Sequence, residues 1–303
     1  SFLARGQLCG IVRGSAYASV FGSAPGMPPE QLEHSDLIVV WGNNVTVSNL
    51  HLMRTINAAK GAKNAKLVVI DPKRIKVAEQ ADLHIPVHPG TDVVLALGLA
   101  AELERRGAHD LSFIKEWVAG YDAYMAEARK VTRDEVLATC RITPEMFDTL
   151  ADWYVAAENV GVSVGNGLER GHSGGSGIRA AMSLQALTGN HGRLGAGVFA
   201  KPGNAFPKNT ARLQRPDLAP EGTRTINIVD VSRLILDEDC EPPIRAVMIY
   251  NHNPVATHPD QNLMRRALSN EDVFVCGADV VMTDSMASVS YTHLRAHETP
   301  IKL

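Results

Sequence analysis

The sequence predicts an α/β protein in three layers, with helices on both faces of a largely parallel sheet, followed by part of a second α/β domain. Three observations carry that expectation. Runs such as Leu37-Ile38-Val39-Val40-Trp41, Leu67-Val68-Val69-Ile70 and Val160-Gly161-Val162-Ser163-Val164 are apolar without alternation, as strands covered on both faces require. Each is followed by a turn and then by a helical stretch, the order that builds parallel sheets. The 303 residues are 45% hydrophobic and 21% charged, enough chain of ordinary composition to bury a sizeable core.

The elements follow in order. Residues 36–42 form the first strand and end in Gly42-Asn43-Asn44, residues that tolerate the backbone angles of a tight strand-to-helix turn. Residues 50–61 read as a helix with Gly61 near its C-terminal end. Residues 66–71, stopped by Pro72, give a second buried strand and complete a βαβ unit. A short strand over 83–87 leads into His88-Pro89-Gly90-Thr91-Asp92, where Thr91 or Asp92 can cap a helix over 93–104.

Residues 111–140 are helical and charged, broken at Gly120. Thr143 followed by Pro144 opens another helix, a cap residue with proline at the first helical position. The third buried strand, 160–164, ends in Gly165-Asn166-Gly167, and after Gly171-His172-Ser173-Gly174-Gly175 a helix runs to Leu187. Regularity then disappears over 189–225, a length of loop that is usually functional or a domain crossing. A helix over 229–236, a strand over 244–250 ending in Asn251-His252-Asn253-Pro254, a helix over 261–268 and a strand over 273–276 follow. Trp117, Trp153 and Tyr154 fit helical faces turned to a core. The expected division is residues 1–199 for the αβα domain, 200–287 for the partial second domain, and 288–303 for an aberrant tail without an apolar strand pattern.

Composition removes several function classes. A formal charge of -3 gives no support for nucleic acid or an anionic membrane as partner. Cys9, Cys140, Cys240 and Cys276 contain no Cys-x-x-Cys pair, so neither a zinc site nor an iron–sulfur cluster is expected within the chain. Cys140, Cys240 and Cys276 read as structural. No apolar run reaches membrane-spanning length. The start Ser1-Phe2-Leu3 has neither Met nor a signal-peptide pattern, which is how a piece of a longer chain would begin.

In an open α/β sheet, ligands sit beyond the carboxyl ends of the strands, where strand-to-helix turns converge. The turns following residues 41, 71, 89 and 165 are therefore the candidate site. Glycine lets backbone approach a phosphate, and the N–H groups at a helix start favour an anion. Asp71 and Asp92 can accept from a ribose hydroxyl or a guanine edge, and Lys73 or Arg74 can reach phosphate. Any one such turn is more often just a good turn; several together point to a nucleotide-like ligand. No Gly-x-Gly-x-x-Gly follows the first strand and there is no Walker lysine loop, so ordinary NAD and ATP sites are unsupported.

These segments resemble the dimethyl-sulfoxide-reductase family of molybdopterin oxidoreductases. The resemblance runs through Ser35-Asp36-Leu37-Ile38-Val39-Val40-Trp41-Gly42-Asn43-Asn44, Val69-Ile70-Asp71-Pro72-Lys73-Arg74 and Ala81 to Asp92. It continues in Leu187-Thr188-Gly189-Asn190-His191-Gly192, Tyr250-Asn251-His252-Asn253-Pro254 and Asp279 to Ala287, in the family's order. It implies a bis-molybdopterin guanine dinucleotide holding molybdenum or tungsten, and two-electron or oxygen-atom-transfer chemistry on a small-molecule redox substrate. Trp41, Gly42, Asn43, Asn44, Asp71, Lys73, Gly90, Thr91, Asp92, Gly165, Asn166 and Arg170 match the family's dinucleotide contacts. Asn251, Ala278 and Asp279 match later contacts near a pterin.

The resemblance also implies a metal ligand. Cys9 stands 27 residues before Asp36, roughly one βα unit ahead of the first motif, and a thiolate is a soft ligand suited to such a metal. Ser15 is the poorer substitute, and a small buried hydrophobe is the alternative reading of Cys9. His172, His191 and His252 read as hydrogen-bonded loop histidines.

Family members commonly carry an N-terminal 4Fe-4S segment and a C-terminal barrel-like domain, and this sequence shows neither. The chain alone is accordingly expected to be a fragment with little activity. The resemblance extends to an iron–sulfur electron-transfer subunit and a membrane anchor as partners, and to the prokaryotic cytoplasm or, second, the periplasm. A non-catalytic electron-transfer scaffold, like the large iron–sulfur subunit of respiratory complex I, is the alternative; a thiamine-diphosphate or NAD enzyme on a similar sheet is a third reading.

Overall fold

The computed structural model describes residues 2–6, 8–22, 26–200, 206 and 208–294. Ten strands lie among them: β1 (Phe2–Arg5), β2 (Leu37–Trp41), β3 (Lys66–Ile70), β4 (Leu83–Ile85), β5 (Val160–Val164), β6 (Gly197–Phe199), β7 (Arg224–Asn227), β8 (Ala246–Tyr250), β9 (Phe274–Asp279) and β10 (Tyr291–Leu294). The chain separates into two compact units, Val12–Lys208 and a second made of Ser1–Ile11 with Asn209–Leu303.

The first unit is built on a five-stranded parallel sheet in the order β4-β3-β2-β5-β6. Every residue of β2 and β5 is buried. That explains their unbroken apolar character, because a central parallel strand has helices against both faces. Leu37, Val39 and Trp41 face one apolar cluster, with helices Asp92–Arg105, Pro144–Ala156 and Gly174–Leu187; Ile38 and Val40 face the other, with helix Leu50–Lys63. The three layers foreseen in the sequence are present.

Local chemistry sets most boundaries. The Thr143 hydroxyl accepts from the Met146 N–H at 3.3 Å, and Pro144 supplies the fixed φ of the first helical residue. Gly120, at φ 80°, separates helices Leu111–Trp117 and Tyr121–Ala128. The helix over Leu50–Lys63 ends not at Gly61 but on Asn64, which takes the left-handed conformation at φ 54°. Asparagine tolerates that region well, so Gly61 was the more conspicuous signal and not the real stop.

Two expectations are corrected here. The irregular stretch after residue 189 contains β6, the fifth strand of the sheet. It is only three residues long and preceded by Gly192 and Gly195 at positive φ, so no periodic pattern could announce it. Buried Gln185 holds β5 and β6 together, donating to Val160 O at 2.5 Å and Gly197 O at 3.3 Å. Trp117 lies not in the core but 69% exposed at the end of its short helix.

In the second unit β1 pairs with β7, and β8, β9 and β10 form a parallel sheet with β9 central. Ile249 and Val275 turn into a core with helices Val231–Ile235 and Gln261–Leu268. On the other face Met248, Tyr250, Phe274 and Tyr291 are each more than half exposed, with Met248, Cys276 and Tyr291 in register across the three strands. Among the described residues no helix is long and apolar enough to cross a membrane.

Candidate functional site

The strand order of the first unit reverses at β2: the chain moves outward through β3 and β4, then returns to place β5 on the other side of β2. Helices leaving β2 and β5 must then diverge to opposite faces, and the gap at the carboxyl ends is where such sheets bind ligands. The turns after β2 and β5 meet there. Gly165 N–H donates to Trp41 O at 2.9 Å, and Gly167 N–H donates to Gly42 O at 2.9 Å.

The contact is too close for side chains. A Cβ on Gly165 would stand 2.2 Å from Gly42 O and 2.5 Å from Asn43 Cα; one on Gly167 would stand 2.7 Å from Gly42 O. Gly42 itself has φ 58° and lies against Leu168. Glycine at these positions is therefore set by two crossing backbones. Asn43 continues the clasp, donating its side-chain amide to Ser163 Oγ at 2.8 Å. Asn44 accepts from Thr46 Oγ1 at 2.8 Å.

A further predicted residue, Asp92, is tied to Trp41. The Trp41 ring is buried, and its indole N–H donates to Asp92 Oδ1 at 2.8 Å. Burial holds the Asp92 carboxyl above its ordinary range, the indole bond opposes that, and the charge of Asp71 adds to the rise. The charge of Asp71, in the turn after β3, is thus felt at Asp92, and Asp71 Oδ1 accepts from Lys73 N–H at 2.9 Å. His84 Nε2 contacts Asp71 O at 2.9 Å and holds the turn from behind.

Thr91 sits at the N-cap of the helix over Asp92–Arg105 but does not cap it with its side chain; its hydroxyl donates to His88 O at 2.7 Å. Gly90, at φ 83°, has open space where a side chain would project, and its carbonyl accepts from Ser173 Oγ at 3.1 Å. The glycine-rich segment after β5 therefore reaches the turn after β4. Asn166 is half-buried and Arg170 exposed on that segment, and Lys73 is exposed on its own turn.

Sequence reasoning missed the pair that holds this segment down. Glu169 is buried, accepts from Arg13 N–H at 3.0 Å in the first turn of helix Ile11–Phe21, and lies 3.6 Å from Arg13 Nε. A carboxylate at a helix N-terminus is favoured by the orphan N–H groups there. The partners are 156 residues apart, so no local pattern could reveal them.

In the second unit, Asn251 follows β8 in the left-handed region at φ 53° and donates its N–H to Ala278 O at 2.9 Å. Asp279, buried at the end of β9, accepts from Val280 N–H at 2.6 Å. Asn253 and Ser285 brace the same turn: Ser285 Oγ donates to Asn253 Oδ1 at 2.6 Å and accepts from Val255 N–H at 3.0 Å. Asn251, Ala278 and Asp279 are thus brought together at one sheet end. Cys9 is exposed in a short turn of this unit.

Among the described residues no group of three or more His, Cys, Asp or Glu side chains could hold a metal ion. His191 departs from expectation: its ring stacks on Phe21 at 4.6 Å, and its buried Nδ1 has no hydrogen-bond partner. It lines a cavity of about 1000 Å³ with Phe113, Trp117, Tyr124 and Arg179. None of the predicted site residues lines that cavity, which lies among helices and not at the strand ends.

A family model described as Molybdopterin oxidoreductase matches residues 9–290. The Bacillus subtilis (strain 168) protein named "Probable oxidoreductase YoaE" is 32% identical over 281 residues, covering 92% of this chain and 41% of the relative. The "F420-dependent formate dehydrogenase subunit alpha" of Methanocaldococcus jannaschii is 26% identical over 279 residues, covering 84% of this chain and 40% of the relative. Among solved structures, acetylene hydratase from Pelobacter acetylenicus aligns with a TM-score of 0.72 at 20% identity, covering 94% of this chain and 44% of that one; the likeness is one of fold. The chain spans about two fifths of the length of the curated relatives it matches.

Proposed function

The chain belongs to the molybdopterin oxidoreductase family, and from that premise we propose that it forms the dinucleotide-binding core of a molybdenum or tungsten enzyme using a bis-molybdopterin guanine dinucleotide. The observation that carries the proposal is the crossing of two glycine turns at the switch point of the sheet, with Asp71 and Asp92 in the turns after the neighbouring strands β3 and β4.

The residues present fit that group. The carboxylates of Asp71 and Asp92 are acceptors, and a guanine edge offers adjacent N–H donors to such groups. Trp41 fixes the orientation of Asp92, so its acceptor is aimed before any ligand arrives. The open space at Gly90 lets backbone approach a phosphate or sugar, and exposed Lys73 and Arg170 supply positive charge for a pyrophosphate. Gly42, Asn43, Asn44, Thr91, Gly165 and Asn166 form the backbone floor around these groups. In the second unit Asn251, Ala278 and Asp279 would contact a pterin, and Cys9 would ligate the metal.

The bound group supplies two-electron redox chemistry, with oxygen-atom transfer in many family reactions; the protein positions it and sets its electrostatics. A small-molecule redox substrate, electrons from a 4Fe-4S centre outside these residues, and an iron–sulfur partner subunit complete the reading.

The test is chemical. Protein purified from molybdenum-replete prokaryotic cells is hydrolysed in acid, and released nucleotides and bound metal are quantified. Guanosine monophosphate appearing together with molybdenum or tungsten is the expected result. Metal without guanine nucleotide, or an adenine or cytosine nucleotide in its place, would overturn the assignment.

A further inference from the structure

The cavity of about 1000 Å³ beside His191 lies within the first unit. The end of helix Ile11–Phe21, helices Leu111–Trp117 and Tyr121–Ala128, and helix Gly174–Leu187 enclose it. Small-molecule sites typically occupy about 300–1000 Å³, so the space is ample for a ligand. It stands apart from the strand ends, and the cofactor reading leaves it without an occupant.

Its walls are aromatic. Phe21, Phe113, Trp117, Tyr121 and Tyr124 line it, and the His191 ring stacks on Phe21. Trp117, 69% exposed, is a large ring that the core does not claim and that stands at the cavity instead. The hydroxyls on these walls are already engaged inside the protein. Ser19 Oγ donates to Ala16 O at 2.7 Å, and Ser183 Oγ donates to Arg179 O at 2.8 Å. The Tyr121 hydroxyl donates to Glu104 Oε1 at 3.1 Å, and that of Tyr124 donates to Ala180 O at 3.4 Å.

Arg179 is the exception. Its guanidinium makes no hydrogen bond and no ion pair among the described residues. Burial holds the Tyr124 hydroxyl above its ordinary value and the charge of Arg179 opposes that rise, so the cation stands close to an aromatic wall. None of the described residues lining the cavity carries a carboxylate, and burial lowers the affinity of His191 for a second proton. The cavity therefore offers ring surface and a single uncompensated positive charge.

A guanidinium presents a planar fork of N–H donors that matches a carboxylate two bonds at a time. A neutral or cationic aromatic would leave Arg179 unpaired, and an aliphatic acid would forfeit the ring contacts. We propose that this cavity binds an aromatic monocarboxylate, with its ring against Phe113, Trp117 and Tyr124 and its carboxylate paired with Arg179. The site stands independently of the cofactor reading, since none of the residues assigned to the dinucleotide lines it.

The test is a 19F nuclear magnetic resonance titration of the full chain with 4-(trifluoromethyl)benzoate and, as the uncharged comparison, 4-(trifluoromethyl)benzamide. Wild type should bind the benzoate with a Kd of about 1 mM or tighter, and the benzamide about tenfold more weakly. Arg179→Gln should weaken the benzoate about tenfold and leave the benzamide within about twofold, erasing the preference. Trp117→Ala should weaken both probes by about threefold or more. Both side chains are exposed, so neither variant threatens the fold.

No binding of the benzoate up to about 10 mM overturns the proposal, as does equal affinity of the wild type for acid and amide. A preference for the acid that survives Arg179→Gln overturns the pairing. Unchanged affinities in Trp117→Ala would place the ligand elsewhere and overturn the site.

Discussion

Replacing Trp41 with phenylalanine removes the indole N–H that holds Asp92 while keeping an aromatic ring at a site 1% exposed. A hydrogen bond to a charged acceptor contributes roughly 1.5–3 kcal/mol, and the smaller ring leaves an unfilled gap costing about 1 kcal/mol more. A loss of about 3 kcal/mol is therefore expected near neutral pH. The two terms separate by pH. Burial already raises the folded-state Asp92 carboxyl above its ordinary value of 3.8, so the folded state holds this proton more tightly than the unfolded chain. The stability that comes from this group is complete below that value and is lost as pH rises through the folded value.

Trp41→Phe raises the folded value further, and its penalty must grow as pH rises. Urea unfolding of wild type, Trp41→Phe, Asp92→Ala and the double variant at about pH 4.5 and about pH 7.5 reads this directly. A coupling of roughly 1.5–3 kcal/mol is expected at the higher pH and a smaller one at the lower. Coupling under about 0.5 kcal/mol, or a penalty identical at both pH values, would refute the argument that the indole anchors this carboxylate.

Other perturbations test other layers of the structure. Gly165→Ala puts a methyl 2.2 Å from Gly42 O and should cost about 3 kcal/mol or more, whereas Gly90→Ala, with open space but φ 83°, should cost only about 1 kcal/mol; thermal denaturation giving the reverse order would contradict the crossing. Burial depresses His109, His191, His252 and His258, so the unfolded chain binds more protons than the folded one as pH falls below the ordinary value of 6.5. Stability should drop through that window and stay level above it, and proton uptake on unfolding at about pH 6 is the direct check. Glu102, bound by Arg105 and Arg106, is held down to about 2, so its contribution is present above 4.5 and lost as pH falls toward that lower value. Glu102→Gln should cost about 2 kcal/mol at neutral pH, with a gap to wild type that narrows in acid unfolding experiments.

The core sheet was legible because burial on two faces writes itself into consecutive residues: β2, β3 and β5 are all found where their apolar runs stand. β6 was not, since its three residues gain their place from Gln185 and the neighbouring strand and not from their own pattern. Trp117 misled because a short helix has a surface on every side, and hydrophobicity alone does not say which side is covered. The turn residues were identifiable one by one, but what joins them was not. Trp41 to Asp92 spans 51 residues and Arg13 to Glu169 spans 156, distances over which a single sequence carries no signal. The approach of His252 Nε2 to His258 Nε2 at 2.9 Å depends on a ring-to-ring geometry that no spacing encodes.

The uncovered face of the β8–β9–β10 sheet sets the conditions under which this chain can be handled. Met248, Tyr250, Phe274 and Tyr291 stand more than half exposed over in-register strands, and soluble proteins rarely leave such a surface contiguous. β8 is also an edge strand, with backbone groups open on its outer side. Self-association through this face is therefore expected to rise with the concentration of the chain. Low temperature weakens apolar association, so dilute, cold preparations will hold the chain monomeric longer than warm, concentrated ones.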